Sequence, residues 1–432
     1  MASSGVKAVG QTFMTSMVIS AFNVVTGVIT ARLLLPSGRG ELAAVILWPA
    51  VIETLGLLGT SWVLARRAAC SDRKSGLARL AVVSSLLLAS LSVVIAFFLL
   101  PCLLPADKQH LINLSRLYLV FIPFCFLRSS LLALDHGRMR WWRYNLVRMS
   151  TVLPNVLILL AFWILKIHQL EWFVLAYIFS HLVAAIFVLS LHWQEIIHSP
   201  GKLIEFLRLV REGIPFFLYN VSRVLGEQLD KALVVSMLPI TAVGYYAAAF
   251  AYASTLLALG GAIGVTSFAA LAKDPDRRRQ GQYLTQAFRL ASLVYLVISI
   301  AVVLLAPLLI ISLFGSAFAP AVEPAMVLTW ASTMISLGSI LNEGLRGLGN
   351  TYPGILSQFL GAGVLALAAW QLVPHYGIMG LALGAVLSGL CQLMVLISAT
   401  AVLLQLRFSQ FWGFRLGELR ILYNRLLSFI PV

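Results

Sequence analysis

The sequence predicts an all-α polytopic membrane protein of about twelve transmembrane helices, with both termini on the cytoplasmic side. Three observations carry that expectation. Of the 432 residues, 60% are hydrophobic and only 11% are charged, against about 25% charged in an ordinary soluble domain. The apolar residues collect into long runs broken by charge or by Pro and Gly. The basic residues alternate from one break to the next. A soluble core could not hide this much apolar surface, so the excess must face lipid.

The runs lie at about 9–35, 41–65, 78–100, 112–134, 146–166, 170–193, 213–238, 243–271, 286–313, 321–345, 354–373 and 378–406. Each is long enough for a span, which needs roughly 20 mostly apolar residues. The first is too long for the apolar core of a signal peptide, and no A-x-A-like site closes it.

Of the 31 lysines and arginines, 24 fall in one alternate set of loops and span ends and five in the other. The larger set includes Arg66, Arg67, Arg138, Arg140, Arg143 and Arg277. The smaller set is Arg32, Arg39, Lys108, Arg116 and Lys166. Arg223 and Lys231 lie inside a span. Cytoplasmic loops carry the excess of positive charge, so the larger set marks the inside. An error of one span would scramble the alternation. The net charge of +15 is therefore read as membrane orientation rather than as a nucleic-acid surface.

The longest hydrophilic break, about 194–212, divides the chain into an N-terminal six-helix lobe, 1–200, and a C-terminal six-helix lobe, 201–406. A tail, 407–432, mixes Phe411, Trp412, Leu416 and Leu419 with Arg415, Arg420 and Arg425, which suits a basic amphipathic helix on the inner leaflet. Both lobes start inside, so a repeat between them would be parallel. Leu35-Pro36 followed by Gly40, and Leu238-Pro239 followed by Gly244, are the trace of one.

Polar residues inside spans are costly and face a bundle interior or a water-filled space. In span 1, Thr12, Ser16, Ser20, Asn23, Gly27 and Thr30 fall on one helix face. That face either lines an aqueous path or packs against a neighbouring helix through small residues. In span 7, Asn220, Arg223, Glu227 and Asp230 share a face, with Lys231 four residues after Glu227. They form either a self-neutralising ladder or a polar track facing a cavity. Glu53, near the middle of span 2, either carries a coupling proton or pairs with an arginine. Arg128 lies in the inner half of span 4, and Arg32 and Arg39 sit at the outer mouth. Trp141, Trp142, Trp172, Trp193 and Trp412 fit interfacial belts.

The sequence contains no P-loop. Its histidines are unclustered, and Cys70, Cys102, Cys125 and Cys391 have neither metal-ligand nor redox spacing. No cofactor or metal is expected, and the outer loops are too short for a catalytic domain.

Three stretches resemble the multidrug/oligosaccharidyl-lipid/polysaccharide flippase superfamily, and more closely its polysaccharide-transport branch, which serves O-antigen, capsule and exopolysaccharide. They are Ala31-Arg32-Leu33-Leu34-Leu35-Pro36-Ser37-Gly38-Arg39-Gly40-Glu41-Leu42-Ala43; Gly213-Ile214-Pro215 with Leu229-Asp230-Lys231 and Val243-Gly244-Tyr245-Tyr246-Ala247-Ala248-Ala249; and Leu313-Phe314-Gly315-Ser316-Ala317-Phe318 followed by Ala321. The resemblance implies two six-helix lobes, alternating access, and a cavity lined by spans 1, 2, 7 and 8. It implies a bacterial cytoplasmic (inner) membrane protein that flips a polyprenyl-diphosphate-linked oligosaccharide and is not an enzyme. Membrane lipids surround it, and a polysaccharide polymerase and glycosyltransferases of the same pathway are its implied partners, with no nucleic acid.

Arginine donates paired hydrogen bonds to phosphate. Arg223, then Arg32, Arg39 and Arg128, are therefore the expected contacts for the diphosphate. Asn23, Asn220 and the span 1 hydroxyls would meet sugar. Glu53, Glu227 and Asp230 are the ion-coupling candidates. The alternatives are a cation-coupled multidrug exporter of the same fold, or a non-transport membrane component of lipid-linked sugar assembly.

Overall fold

The computed structural model describes residues 2–70, 76–197, 203–257, 260–261, 263–264, 267, 271 and 276–411. The tail from 412 to 432, where the amphipathic helix was expected, lies outside the described residues, as do Arg73, Lys74, Lys202 and Lys273.

No strand occurs among the described residues. The helices are α1 (Ala2–Gly56), α2 (Thr60–Cys70), α3 (Leu77–Leu103), α4 (Ile112–Tyr118), α5 (Phe121–Gly137), α6 (Trp141–Leu165), α7 (Leu170–Ile197), α8 (Leu203–Met237), α9 (Ile240–Ala253), α10 (Arg277–Phe314), α11 (Val322–Gly347), α12 (Tyr352–Tyr376) and α13 (Ile378–Leu403). Among the described residues, eight helices are long and apolar enough to cross a membrane, or nine if the bent pair of 106–118 and 121–137 counts as one span. The protein is thus a multi-pass α-helical membrane protein.

The first of these helices covers 47 residues, Gly10–Gly56. At 1.5 Å per residue that is about 70 Å, more than twice the roughly 30 Å hydrocarbon core. It breaks at Leu35, which has φ 58 and ψ 179. Pro36 follows, and proline drives the preceding residue out of the helical region. A second break falls at Leu58 and Gly59, with φ of 49 and 74, before α2 resumes. The bend between α4 and α5 is 48°.

The chain divides into two compact units, one of residues 1–248 with 311–318, the other of 249–310 with 319–432. In the first, α1 packs on α6, α5 on α3 and α7, and α6 on α7. Val63, Leu64, Ala81, Leu131, Leu134, Val147, Val188 and Leu209 make its buried cluster. In the second, α13 packs on both α11 and α12, above a cluster that includes Phe288, Tyr295, Ile340, Leu341, Leu345, Ile397 and Phe411. Large apolar side chains such as Leu91, Val94 and Phe98 of α3, and Val297, Leu304 and Leu308 of α10, are exposed. In a membrane protein these are the lipid-facing stripes.

Many in-span hydroxyls donate to the carbonyl one turn earlier. Examples are Thr30 to Thr26, 2.8 Å, Thr329 to Ala325, 2.7 Å, and Thr400 to Leu396, 2.7 Å. This satisfies a hydroxyl in hydrocarbon without a partner helix.

Candidate substrate-binding site

The first unit holds every candidate substrate-binding and ion-coupling residue expected from the sequence. On α8, the shared face divides into environments. Asn220 is buried at 7% exposure. Arg223 and Glu227 are an ion pair at 3.2 Å, with side chains 43% and 52% exposed. Lys231 reaches the Glu227 carbonyl and, at 3.3 Å, Gln228 Oε1. Asp230 turns toward α9: its Oδ2 accepts from the Tyr246 hydroxyl at 3.0 Å, and its Oδ1 is buried without a hydrogen-bond partner.

Glu53 and Arg128, given separate roles from the sequence, come together. Arg128 Nη2 lies 3.9 Å from Glu53 Oε1, with side chains 18% and 26% exposed. The buried thiol of Cys125 donates to the same carboxylate oxygen, and Arg128 Nη2 donates to its sulfur at 3.4 Å.

At the other end of span 1, Arg32 donates to the carbonyls of Leu313, 2.6 Å, and Ser312. A guanidinium there satisfies orphan carbonyls at the C-terminus of α10 and complements its negative dipole end. Arg39 is half-buried, with Nε lacking a hydrogen-bond partner. Asn23 is exposed. The N-terminal part of the span 1 face is shared with α6: Asn145 Nδ2 donates to Thr12 Oγ1 at 3.3 Å, and Arg148 Nη2 to Ser16 Oγ at 3.0 Å.

Two glycine crossings bind α1 and the break before α2 to the α8–α9 segment. A Cβ on Gly40 would overlap the Ile240 carbonyl oxygen, and one on Gly244 would overlap that of Pro36. A Cβ on Gly59 would overlap the Gly213 carbonyl, and one on Gly213 that of Leu58. The second crossing is flanked by Glu212, held by Arg67 at 2.7 Å and Arg66 at 3.1 Å.

Sequence reasoning missed several features. Lys108 is 2% exposed, with Nζ 2.9 Å from both Asp107 Oδ2 and the Leu238 carbonyl. Asp135 and His192 are both fully buried and 3.3 Å apart, beside Arg140 and Arg143. The polar face of α6 could have been found from its steps of three, three and four: Asn145, Arg148, Thr151 and Asn155. Among the described residues, no group of three His, Cys, Asp or Glu is placed to hold a metal.

The polar track on α8 and the crossings on α1 and α9 all fall within residues 6–273, the stretch matched by the model of the family described as "Polysaccharide biosynthesis protein". This chain belongs to the polysaccharide biosynthesis protein family. No curated protein matches this family member in sequence. Solved structures share its fold, among them the following three. The lipid II flippase MurJ in an inward closed conformation superposes with a TM-score of 0.76 at 13% identity, over 97% of this chain and 93% of that one. An inward-facing multidrug resistance MATE family transporter of the MOP superfamily gives 0.70 at 15% identity, over 90% and 94%. A MOP superfamily transporter from Pyrococcus furiosus, described as having a binding pocket of reverse polarity, gives 0.62 at 17% identity, over 94% and 97%. At these identities the likeness is one of fold. The polysaccharide biosynthesis family member is thus a multi-pass membrane protein with a flippase and transporter fold.

Proposed function

We propose that this protein flips a polyprenyl-diphosphate-linked oligosaccharide from the cytoplasmic to the outer leaflet of a bacterial inner membrane by alternating access. In this reading the chain makes about twelve crossings with both termini inside, in lobes 1–200 and 201–406. The glycine crossings draw α8 and the start of α9 onto first-half helices, which accounts for a compact unit that runs on to residue 248.

One observation carries the proposal: Arg223 and Glu227 are both exposed in the middle of α8. A charge turned toward hydrocarbon is costly, so an exposed pair at this depth faces water. The sugar and diphosphate are too polar to cross lipid unaided. A wet track along α1, α8 and the start of α9 shelters them while the polyprenyl tail stays in the bilayer. Arg223 exchanges Glu227 for the diphosphate, and Asn220 and Asn23 take sugar. Arg32 and Arg39 meet the headgroup at the outer end and Arg128 from the inner half of span 4. Glu227, Asp230 and Glu53 are the groups that couple an ion to the cycle, with Arg128 as the counter-charge to Glu53. The membrane potential adds about 2.3 kcal/mol per negative charge per 100 mV in the outward direction. No bond is made or broken, so the protein is not an enzyme. A polymerase and glycosyltransferases act on either side of the step.

Deleting the gene tests this. A lipid-linked oligosaccharide accumulating on the cytoplasmic leaflet, with surface polysaccharide lost, supports flipping. Unchanged surface polysaccharide with no such intermediate refutes it.

A further inference from the structure

The seam between α1 and α6 carries more polar groups than packing requires. Its register is fixed by Thr12 with Asn145 and Ser16 with Arg148. Continued up the two helices, it sets Asn155 level with Asn23. Within α6 the acceptors Asn145 Oδ1, Thr151 Oγ1 and Asn155 Oδ1 are all buried without a hydrogen-bond partner. Asn145 and Asn155 are only 6% and 9% exposed. Pro154 lies inside the same helix, so the carbonyl of Ser150 lacks its helical donor. A membrane helix ordinarily satisfies such groups internally, because each one left bare in hydrocarbon is expensive. Three bare acceptors and a freed carbonyl within eleven residues mark a surface that meets a polar visitor.

We infer that the α1–α6 seam is a second substrate-contact surface, taking the hydroxyl-rich saccharide of the cargo along Asn145, Thr151 and Asn155. The acceptors are neutral and suit hydroxyl donors. Arg148 stands at the inner end, its guanidinium 5.6 Å from the Tyr144 ring centroid, and takes the phosphate end. The inference rests on the flippase reading, and it adds a contact surface that lies away from α8.

The test is complementation of the deletion strain with T151V/N155L and with N155S. Surface polysaccharide, protein level in the membrane and thermal unfolding of the purified protein are measured together. Removing unsatisfied acceptors from a dry seam leaves the fold as stable or more so. The expected result is an export loss of at least tenfold in T151V/N155L at normal protein level and an unchanged or raised Tm, with N155S retaining most of its export. Full export by T151V/N155L overturns the inference, as does an export loss that only follows protein level in both variants. If deletion itself leaves surface polysaccharide unchanged, the flippase reading falls and takes the seam with it. If deletion abolishes export while T151V/N155L restores it, only the seam is lost.

Discussion

Gly40 and Gly244 cross backbone to backbone, each occupying the space where the other strand of chain would reject a side chain. The Gly40 Cβ position meets the carbonyl of Ile240, four residues before Gly244, and the Gly244 Cβ position meets the carbonyl of Pro36, four residues before Gly40. The contact is self-complementary in the way of a two-fold interface. It joins the two Leu-Pro-to-Gly stretches of the sequence. Pro36 faces Gly244 and Ile240 faces Gly40, so the contact makes Pro36 the counterpart of Ile240, one residue beyond the Pro239 of the second Leu-Pro pair.

Alanine at either glycine forces these backbones apart. We expect G40A and G244A each to lower stability by about 1–3 kcal/mol, the usual cost of overpacking. G40A/G244A should cost less than the sum of the two, since one displacement relieves both clashes. Thermal unfolding of the purified variants checks this. Additive losses would mean that the two sites yield independently.

Arg223 and Glu227 are an exposed i,i+4 pair, a contact worth about 0.3–0.5 kcal/mol to the fold. R223A should therefore leave Tm nearly unchanged while reducing surface polysaccharide at least tenfold. Full export at normal protein level would remove Arg223 from the substrate site.

Glu53 and Arg128 behave differently, because both are largely buried. R128M leaves a carboxylate without its counter-charge and should destabilise by about 3 kcal/mol. E53Q/R128M should recover much of that loss. A cycle of unfolding measurements on the two single variants and the double gives the coupling directly.

Glu212 supplies a pH signature at the Gly59–Gly213 crossing. Its hydrogen bond from Arg67, then the charges of Arg67 and Arg66, hold its carboxyl below the usual 4.5. A depressed folded-state pKa stabilises the fold above the unfolded value, and that contribution is lost as pH falls through the folded one. The difference in Tm between wild type and E212Q should be present at pH 7 and vanish in acid. High salt should also reduce it, because the group is partly exposed.

Much of this was legible in the sequence. Hydropathy and the alternating basic residues point to a multi-pass helical membrane protein, and Leu35-Pro36 marks the break inside the longest helix. The spacing of Asn220, Arg223, Glu227 and Asp230 places charge along α8, and i,i+4 spacing brings Arg223 to Glu227. Long-range partners were not legible, because helical periodicity says which face a residue occupies and nothing about what meets it. Arg32 on the α10 carbonyls joins residues 281 apart. Lys108 reads as an ordinary solvated loop lysine until the end of α8 closes over it. Asp230 shares a face with Arg223 by spacing, yet Tyr246 draws it toward α9. The α6 stripe had a readable period, but three of its four members are neutral and do not stand out in an apolar helix.

Flipping by this protein requires that the middle of α8 look onto water. The direct measurement is labelling of a single cysteine at position 223, with Cys70, Cys102, Cys125 and Cys391 replaced, by a membrane-impermeant thiol reagent in intact and inverted membranes. Reaction is expected from at least one side, slowed when the lipid-linked oligosaccharide accumulates. No reaction from either side, in a protein whose cysteine-free parent still supports export, would contradict flipping by this protein.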